Sequence, residues 1–446
     1  MDIIIAGAGD AGTYLAELLY NNNDNITIID IEPSRLSYID EHNDYLSVKG
    51  SANSILCLKE AGAEKCDLFI AMTNTEESNI LSAVLAKKLG AKKVIARVSN
   101  KEYTEDSSVE FFNGLGIDSL VYPEILASEE IVESLNQAGA SRSVEFAEGR
   151  LLLVALKLEP GAPVIGQNLE ETTKNFTDFN FRAVAIGKMN KTVIPRGSYR
   201  FEEEDLVHVV CKKEALPQLM KISGIEDYDI KDVIIMGGSR IGYKTALALE
   251  KTHNVKIFER DAAKCEELTN ILEHTLIING DGRDTALLTE EGIDKVDAFI
   301  AVTGHSETNL LACLHAKKFG VKKTIAEIEN MADLPLVQKM GINSIINKKL
   351  IAASHIYAHV LSKNLSSVHC LSSSDAEVLE YVVTENAKIT NSKLSKIKFP
   401  EGAIIGGVIR GDDVFIAQGN TKIEVDDHVI LFSLPNKIQK VSKLFK

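Results

Sequence analysis

The chain has 446 residues, of which 45% are apolar and 25% are charged, the proportions of an ordinary globular protein. Its 64 acidic residues outnumber its 49 basic residues, so the formal net charge is −15. Nucleic acids and anionic lipid surfaces attract basic faces, so this charge argues against both as direct partners. A chain of this length is expected to divide into three or four domains.

The sequence also lacks the marks of a membrane-spanning or disulfide-bonded protein. Its longest apolar stretch, residues 151–158, is interrupted by Lys157 and is too short to cross a bilayer. We expect no signal peptide, because the first strand is predicted to begin at Asp2. The six cysteines are scattered without a CxxC pair, and we interpret them as reduced residues of the core.

The first 136 residues alternate between strand-like and helix-like patterns. Strands are predicted over residues 2–6, 26–29, 45–48, 68–72, 94–98 and 120–122, and helices over residues 13–20, 54–60, 77–89 and 123–136. This alternation is typical of a parallel, doubly wound sheet.

The same order of signals returns from Asp232 to about residue 360, at an offset of 229 or 230 residues. The matches are Asp30 with Glu259, Gly50-Ser51 with Gly280-Asp281, Asp67 with Asp297, Thr73 with Thr303, Glu77 with Glu307 and Asn79 with Asn309. A repeat of this length indicates a duplicated domain rather than a solenoid.

A different pattern follows each copy. Residues 143–222 and 374–446 contain short runs of Val, Ile and Leu interrupted by turns, which predicts small mixed α/β, β-rich domains. We place the boundaries at residues 137–142, at residues 223–231 and in the serine-rich residues 364–375. The predicted domains are 1–137, 143–224, 231–360 and 370–446. The predicted fold class is therefore α/β, with two Rossmann-type doubly wound parallel-sheet domains, each followed by a small β-rich domain.

The strongest chemical signal is the turn after the first strand. Gly7 permits a tight turn, Gly9 allows a pyrophosphate to approach the backbone, and Gly12 allows the helix to pack closely on the strand. The N-terminus of the helix offers unpaired N–H groups to phosphates. Asp30 ends the second strand, where a carboxylate accepts hydrogen bonds from ribose hydroxyls and repels a 2′-phosphate. The pattern predicts a nucleotide site that favours NAD(H) over NADP(H).

The second copy differs at one position, because Ser239 replaces the middle glycine. A side chain there crowds a pyrophosphate, although a serine hydroxyl can also donate a hydrogen bond to phosphate. Glu259 keeps the ribose acceptor. The second site is therefore predicted to bind a nucleotide with a different affinity or of a different kind.

Further candidates follow later strands. Thr73-Asn74 and Thr303-Gly304 end the fourth strand of each copy, at the edge where open α/β sheets bind ligands. Arg97 ends the fifth strand and can either neutralise a phosphate or pair with a surface carboxylate, whereas Glu327 reverses the charge in the second copy. His355 and His359 are spaced i, i+4, but without further nearby ligands we predict no metal site.

The order of these motifs resembles the TrkA family, the regulatory subunits of Trk potassium-uptake systems. The motifs are GAGDAG with Asp30, VKGSA at residues 48–52, EAGAEKCDLFIAMTNTEESN at 60–79 and IARVSN at 95–100, then GGSRIG, GDGRD, EEGIDKVDAFIAVTGHSETN and TIAEIEN in the second half. Members of this family have tandem RCK (KTN) nucleotide-binding domains, each followed by a TrkA C-terminal domain, and the resemblance covers essentially the whole chain.

The resemblance implies a non-enzymatic regulator at the cytoplasmic, inner face of the plasma membrane. It would form a homo-oligomeric ring, expected to be a tetramer, beneath a potassium-translocating membrane subunit. The ligand would be NAD(H), with ATP or ADP as alternatives in one or both sites. The first site would comprise Gly7, Ala8, Gly9, Asp10, Ala11, Gly12, Asp30, Ser51, Thr73, Asn74 and Arg97. The second would comprise Gly237, Gly238, Ser239, Arg240, Ile241, Gly242, Glu259, Asp281 and Thr303.

Other functions remain as alternatives at this stage. An NAD-dependent dehydrogenase needs an acid/base group over the nicotinamide, and the first trailing domain offers only His208 in a strand-like run. A redox-sensing DNA-binding repressor needs a basic recognition helix, which this acidic chain does not show. A regulator of another cation channel or antiporter fits the sequence as well.

Overall fold

The computed structural model describes residues 1–20, 24–42, 45–136, 142–175, 181–188, 191–225, 228–330, 333, 336–337, 340–360, 365–370, 376–434 and 437–445. Within them the chain forms four sheets, which follow one another in sequence.

The first sheet is parallel and has six strands in the order β3-β2-β1-β4-β5-β6. Its strands are β1 (Asp2–Ala6), β2 (Asn25–Asp30), β3 (Leu46–Lys49), β4 (Leu68–Ala71), β5 (Lys93–Arg97) and β6 (Ser119–Val121). The intervening helices are α1 (Asp10–Tyr20), α2 (Pro33–His42), α3 (Ile55–Glu60), α4 (Glu76–Leu89) and α5 (Asp106–Gly114), and α6 (Pro123–Asn136) follows β6. Strand β4 is buried along its whole length, as expected for a parallel strand covered by helices on both faces.

The second sheet is antiparallel, with five strands in the order β10-β9-β11-β8-β7. Its elements are β7 (Arg142–Phe146), β8 (Leu151–Lys157), α7 (Leu169–Asn175), β9 (Phe181–Lys188), β10 (Lys191–Val193), β11 (Leu206–Lys212) and α8 (Leu216–Ile222). The apolar run at residues 151–158 is therefore a buried strand of this sheet.

The third sheet repeats the first, in the order β14-β13-β12-β15-β16-β17. Its strands are β12 (Asp232–Met236), β13 (Asn254–Glu259), β14 (Leu276–Asn279), β15 (Ala298–Ala301), β16 (Lys323–Glu327) and β17 (Ser344–Ile346). The described helices are α9 (Arg240–Leu249), α10 (Ala262–Ile271), α11 (Thr285–Glu290), α12 (Ser306–Lys318) and α13 (Lys348–Val360).

The fourth sheet is antiparallel, in the order β18-β19-β22-β20-β21. Its elements are β18 (Leu365–Cys370), β19 (Glu377–Val382), β20 (Ala403–Arg410), β21 (Asp413–Ile416), β22 (His428–Ser433) and α14 (Ile438–Ser442). Together the four sheets confirm the predicted fold class: two doubly wound parallel sheets, each followed by a β-rich domain.

Part of the serine-rich segment in which a domain boundary was predicted forms a strand. Residues 365–370 are β18, which pairs with β19 in antiparallel register. Serine is a weak strand former, but a neighbouring strand with free hydrogen-bonding groups can recruit it into a ladder. The remainder of that predicted boundary, residues 364 and 371–375, lies outside the described residues, as do residues 137–141 of the first boundary and 226–227 of the second.

The chain divides into two compact units, one formed by Met1–Leu126 with Lys348–Leu361 and the other by Ala127–Asn347 with Ser362–Lys446. Helix α13 thus belongs with the first sheet and packs against α1. This differs from the predicted domain of residues 231–360. The reason is an apolar face of α13 that includes Ala353, Ile356 and Tyr357, all of which are buried.

In the second unit the two antiparallel sheets share a hydrophobic core. Val184 and Val210 of the second sheet lie in one buried cluster with Val378 and Phe432 of the fourth. Close approach is possible because Gly406 has no side chain: a Cβ there would lie 2.6 Å from Val210 Cγ2.

Candidate functional site

The turn between β1 and α1 is held in one conformation by backbone constraints. Gly7 has a φ of +115°, and its N–H donates to the carbonyl of Ile29 at 2.8 Å. A Cβ at Gly12 would lie 2.0 Å from the carbonyl oxygen of Gly7, so only glycine fits there. At Gly9, by contrast, a Cβ would meet nothing within 4 Å. The middle glycine therefore borders open space at the start of α1.

Asp30 fixes this turn from the end of β2. Asp30 is only 7% exposed, and its Oδ2 accepts the N–H of Ala8 at 2.6 Å. Its Oδ1 accepts the N–H of Glu32 at 2.8 Å. The Arg35 guanidinium lies 3.6 Å from Oδ2. Because each carboxylate oxygen has two lone pairs, Asp30 can orient the turn and still accept a ribose hydroxyl.

A buried asparagine joins the ends of β4 and β5. The N–H and hydroxyl of Thr73 both donate to Asn79 Oδ1 at 2.7 Å, and Asn79 Nδ2 donates to the carbonyl of Arg97 at 2.9 Å. These bonds fix the crevice edge that follows β4. The site prediction did not include Asn79, although its repetition as Asn309 was a visible signal.

These elements surround a cavity of about 470 Å³. Of the predicted residues, Gly7, Gly9, Asp30, Ser51, Thr73 and Asn74 line it. Ala8, Asp10, Ala11, Gly12 and Arg97 are not among its lining residues. Lining residues that the sequence analysis did not single out include Glu32, Ser34, Arg35, Thr75 and Ser78.

The first cavity fits a nucleotide diphosphate. The open space at Gly9 adjoins the N-terminus of α1, where backbone N–H groups and the helix dipole favour an anion. The buried carboxylate of Asp30 lies beside the same space, where an adenosine ribose would need an acceptor. Turn, helix and carboxylate thus match the phosphate and sugar of a dinucleotide.

The second turn repeats this geometry. Gly237 has a φ of +111°, and a Cβ at Gly242 would lie 2.1 Å from the carbonyl oxygen of Gly237. Glu259 Oε2 accepts the N–H of Gly238 at 2.8 Å, and its Oε1 accepts the N–H of Asp261 at 2.9 Å. Thr303 donates to Asn309 through its N–H at 3.0 Å and through its hydroxyl at 2.6 Å.

Ser239 changes the second turn in a specific way. Its Oγ accepts the N–H of Gly242 at 3.2 Å and so caps α9. One of the amide groups that would face a phosphate is therefore already satisfied, which favours the helix but competes with an anion. The residues still fit a nucleotide, with one amide fewer to offer it.

The second cavity, of about 330 Å³, also carries different charges. Arg260, Lys264 and Arg283 line it together with Glu259 and Asp281. Arg283 donates to both carboxylate oxygens of Asp281, and this hydrogen bonding lowers the pKa of Asp281 to about 2. Ile31, Arg35 and Asn53 stand at the equivalent positions of the first copy, so the second cavity has three cationic side chains where the first has one.

The remaining predicted residues of the second copy divide in the same way. Gly237, Ser239, Glu259, Asp281 and Thr303 line the second cavity, whereas Gly238, Arg240, Ile241 and Gly242 are not among its lining residues. Glu327, the counterpart of Arg97, is buried with only 3% of its surface exposed.

Two features elsewhere bear on the other predictions. Among the described residues, no group of three or more His, Cys, Asp or Glu side chains is arranged to hold a metal ion. His355 lies partly buried on α13, and the His359 side chain is outside the described part. The described helices include none that is both long and apolar enough to cross a membrane.

Comparison with known proteins follows the same four-part division. The model of the TrkA-N domain matches residues 3–123 and 233–348, and the model of the TrkA-C domain matches residues 153–224 and 378–446. Among solved structures, the GsuK RCK domain is similar, with a TM-score of 0.59 at 15% identity over 99% of this chain and 94% of that chain. A structure described as the GsuK channel bound to NAD has a TM-score of 0.58 at 16% identity over 100% of this chain and 78% of that chain.

Curated relatives are similar over their full length. The Trk system potassium uptake protein TrkA of Vibrio alginolyticus is 34% identical, over 100% of this chain and 99% of the relative. The protein of the same name from Halomonas elongata is 33% identical with the same coverage. With both domain models matched twice and in alternation, the chain belongs to the TrkA family of Trk system potassium uptake proteins.

Proposed function

We propose that the protein is an NAD(H)-binding regulatory subunit that controls a Trk-type potassium uptake transporter. One observation carries this proposal: two glycine turns, each closed by a strand-end carboxylate, stand beside two separate cavities in a chain of the TrkA family. The names of the full-length relatives supply the transported ion, and the GsuK channel bound to NAD supplies a precedent for the ligand on this fold.

The proposed ligand follows from the shape of the first cavity. NAD(H), ATP and ADP share an adenosine ribose and a diphosphate, which are the groups that Asp30 and the turn at Gly9 suit. The carboxylate of Asp30 disfavours a 2′-phosphate, so NADH is expected to bind more tightly than NADPH. The second cavity, with a capped helix and two more cationic side chains at the equivalent positions, is proposed to bind a nucleotide with a different affinity.

Regulation requires that the nucleotide bind one arrangement of the protein more tightly than another. Shifting a gate from almost closed to almost open takes a differential affinity of about 5 kcal/mol. Each chain has two sites, and a homo-oligomeric ring such as a tetramer contains several chains. Each site therefore needs to supply only part of this free energy. The proposed partner is the potassium-translocating membrane subunit, and the proposed location is the cytoplasmic face of the membrane that holds it.

The test is potassium uptake by cells that lack their own copy of this protein. Wild-type protein is expected to restore uptake, whereas Asp30→Ala is expected to restore it poorly although it accumulates to the same level. The NADH level of the cells is varied in the same experiment. If uptake is as fast with Asp30→Ala as with wild type at every NADH level, nucleotide control through the first site is refuted.

The proposed role is non-catalytic. If the protein were instead a dehydrogenase, NADH would be consumed in the presence of oxo-acids or aldehydes. We expect its absorbance at constant protein concentration to stay unchanged over hours, and steady oxidation would overturn the proposal.

A further inference from the structure

A lysine from the second half of the chain reaches the phosphate turn of the first site. Lys349 Nζ lies 2.7 Å from Asp10 Oδ2. Asp10 is the first residue of α1 and follows Gly9 directly, while Lys349 is the second residue of α13. Helix α13 packs along α1, so the ion pair is part of an extended contact.

Asp10 poses an electrostatic problem for the proposed ligand. A carboxylate in the first turn of a helix stabilises that helix through its dipole. The same location is where the N–H groups of α1 would meet a diphosphate, and the carboxylate repels it. Asp10 is 56% exposed, so solvent screens this repulsion only in part.

We propose that Lys349 is a positioning residue for the first nucleotide site, which neutralises Asp10 so that a diphosphate can bind at the turn. The inference rests on the proposed function, because it needs a phosphate ligand at Gly9. Lys349 acts through Asp10 and is not among the residues that line the cavity. The first site is therefore incomplete without a residue that follows the third sheet in the chain.

The second copy shows that this requirement belongs to the first site alone. Arg240 occupies the position of Asp10, at the start of α9, so the second turn already carries a positive charge. Glu124, the second residue of α6, occupies the position of Lys349. The charges at these two positions are exchanged between the copies, so the second turn has no acid at its start that would need to be neutralised.

The experiment is equilibrium titration of the full chain with NADH, followed by its fluorescence, for four proteins. Lys349→Gln is expected to raise the Kd of the first site about 3- to 10-fold, and Asp10→Asn to lower it about 2- to 5-fold. The double variant is expected within about twofold of wild type, because the net charge of the turn is restored. Lys349→Arg keeps the charge and is expected to bind as wild type does.

Controls separate this effect from a loss of structure. Lys88→Gln removes an exposed lysine at the end of α4 and is expected to change nothing. NADH binding that remains in Asp30→Ala is binding at the second site. Adding Lys349→Gln to that variant is expected to leave this remaining affinity unchanged. Salt at about 0.5 M is expected to shrink the difference between wild type and Lys349→Gln, because it screens the charges.

The outcomes distinguish the inference from the function on which it rests. If wild-type protein does not bind NADH, ATP or ADP, the proposed function fails. If wild type binds but Lys349→Gln binds equally well, the positioning role of Lys349 is wrong. If Lys349→Gln is weak and Asp10→Asn does not rescue it, Lys349 only holds α13 in place and the inference is overturned.

Discussion

At the scale of single residues, the strand-end carboxylates have two tasks. The sequence predicted Asp30 and Glu259 as ribose acceptors from their spacing to the glycine turns. It did not indicate that both also accept a backbone N–H of the turn, at 2.6 and 2.8 Å, because that bond depends on how the loop folds back on the strand. The acid therefore shapes the site before any ligand arrives.

Replacing Asp30 by Asn tests the dual role. One acceptor oxygen becomes an NH₂ donor, so either the N–H of Ala8 or that of Glu32 loses its partner, at a cost of about 1–3 kcal/mol. We expect a lower melting temperature together with at least tenfold weaker NADH binding at the first site. The matched variant Glu259→Gln should affect only the second site, and unchanged stability of Asp30→Asn would contradict the role in the turn.

A second residue-scale prediction concerns two equivalent lysines. Lys93 begins β5 and is exposed, whereas Lys323 begins β16 and is fully buried, which lowers its pKa to about 7. Between this pKa and the ordinary value near 10.4 the unfolded chain binds more protons than the folded chain, so this lysine makes stability rise with pH.

Urea unfolding between pH 7 and 9 measures the effect. The free energy of unfolding of wild type, relative to that of Lys323→Met, is expected to increase by up to about 1 kcal/mol per pH unit. Lys93→Met is expected to show no such trend. Parallel pH profiles for wild type and Lys323→Met would mean that Lys323 stays protonated in the folded protein.

At the scale of elements, the β1–α1 turn separates the glycines needed for folding from the glycine needed for binding. The sequence motif treats Gly9 and Gly12 alike. The structure distinguishes them, because a Cβ meets nothing at Gly9 but lies 2.0 Å from a carbonyl oxygen at Gly12. Ser239 illustrates the same point, since the second turn accommodates a side chain at this position, and its hydroxyl caps α9.

Two alanine substitutions test this division. Gly9→Ala is expected to leave the melting temperature unchanged or slightly higher, because the unfolded chain loses flexibility, while the affinity for NADH falls at least tenfold. Gly12→Ala is expected to destabilise the first sheet by more than about 2 kcal/mol, since α1 must move away from β1. Tight NADH binding by Gly9→Ala would show that no phosphate lies at that turn.

Local sequence patterns predicted the types of elements, whereas they did not predict which elements pack or pair with one another. Helix α6 was predicted with the bounds Pro123–Asn136 that the structure shows, because apolar spacing and the initial proline are local signals. The packing of α13 on α1 is a long-range contact that periodicity cannot reveal, and the pairing of β18 with β19 uses a serine-rich segment that carries no strand pattern. The charges of Asp10 and Lys349 were visible in the sequence, but only the fold brings them together.

At the scale of the whole molecule, the duplicated plan A–B–A′–B′ was readable because the repeat is long and its motifs keep their order. How the two β-rich parts pack could not be predicted, since it depends on Gly406 in β20, an inconspicuous residue in an apolar run. Its missing Cβ allows the second and fourth sheets to share one core.

Gly406→Ala tests whether this shared core stabilises the second unit. The new Cβ would lie 2.6 Å from Val210 Cγ2 and 3.2 Å from Val184 Cγ1, so we expect a loss of about 1–3 kcal/mol in urea unfolding. Gly419→Ala is a suitable control, because its Cβ would meet Ser395 at an ordinary 3.4 Å. Equal stability of the two variants would show that the sheets separate easily.

Each of the two turns is proposed to bind a nucleotide, and isothermal titration calorimetry with NADH tests this directly. The titration should use wild type, Asp30→Ala, Glu259→Ala and the double variant. We predict saturable binding to wild type, loss of one component in each single variant, and no binding to the double variant. An absence of binding to wild type, or full binding by the double variant, would show that the two turns are not nucleotide sites.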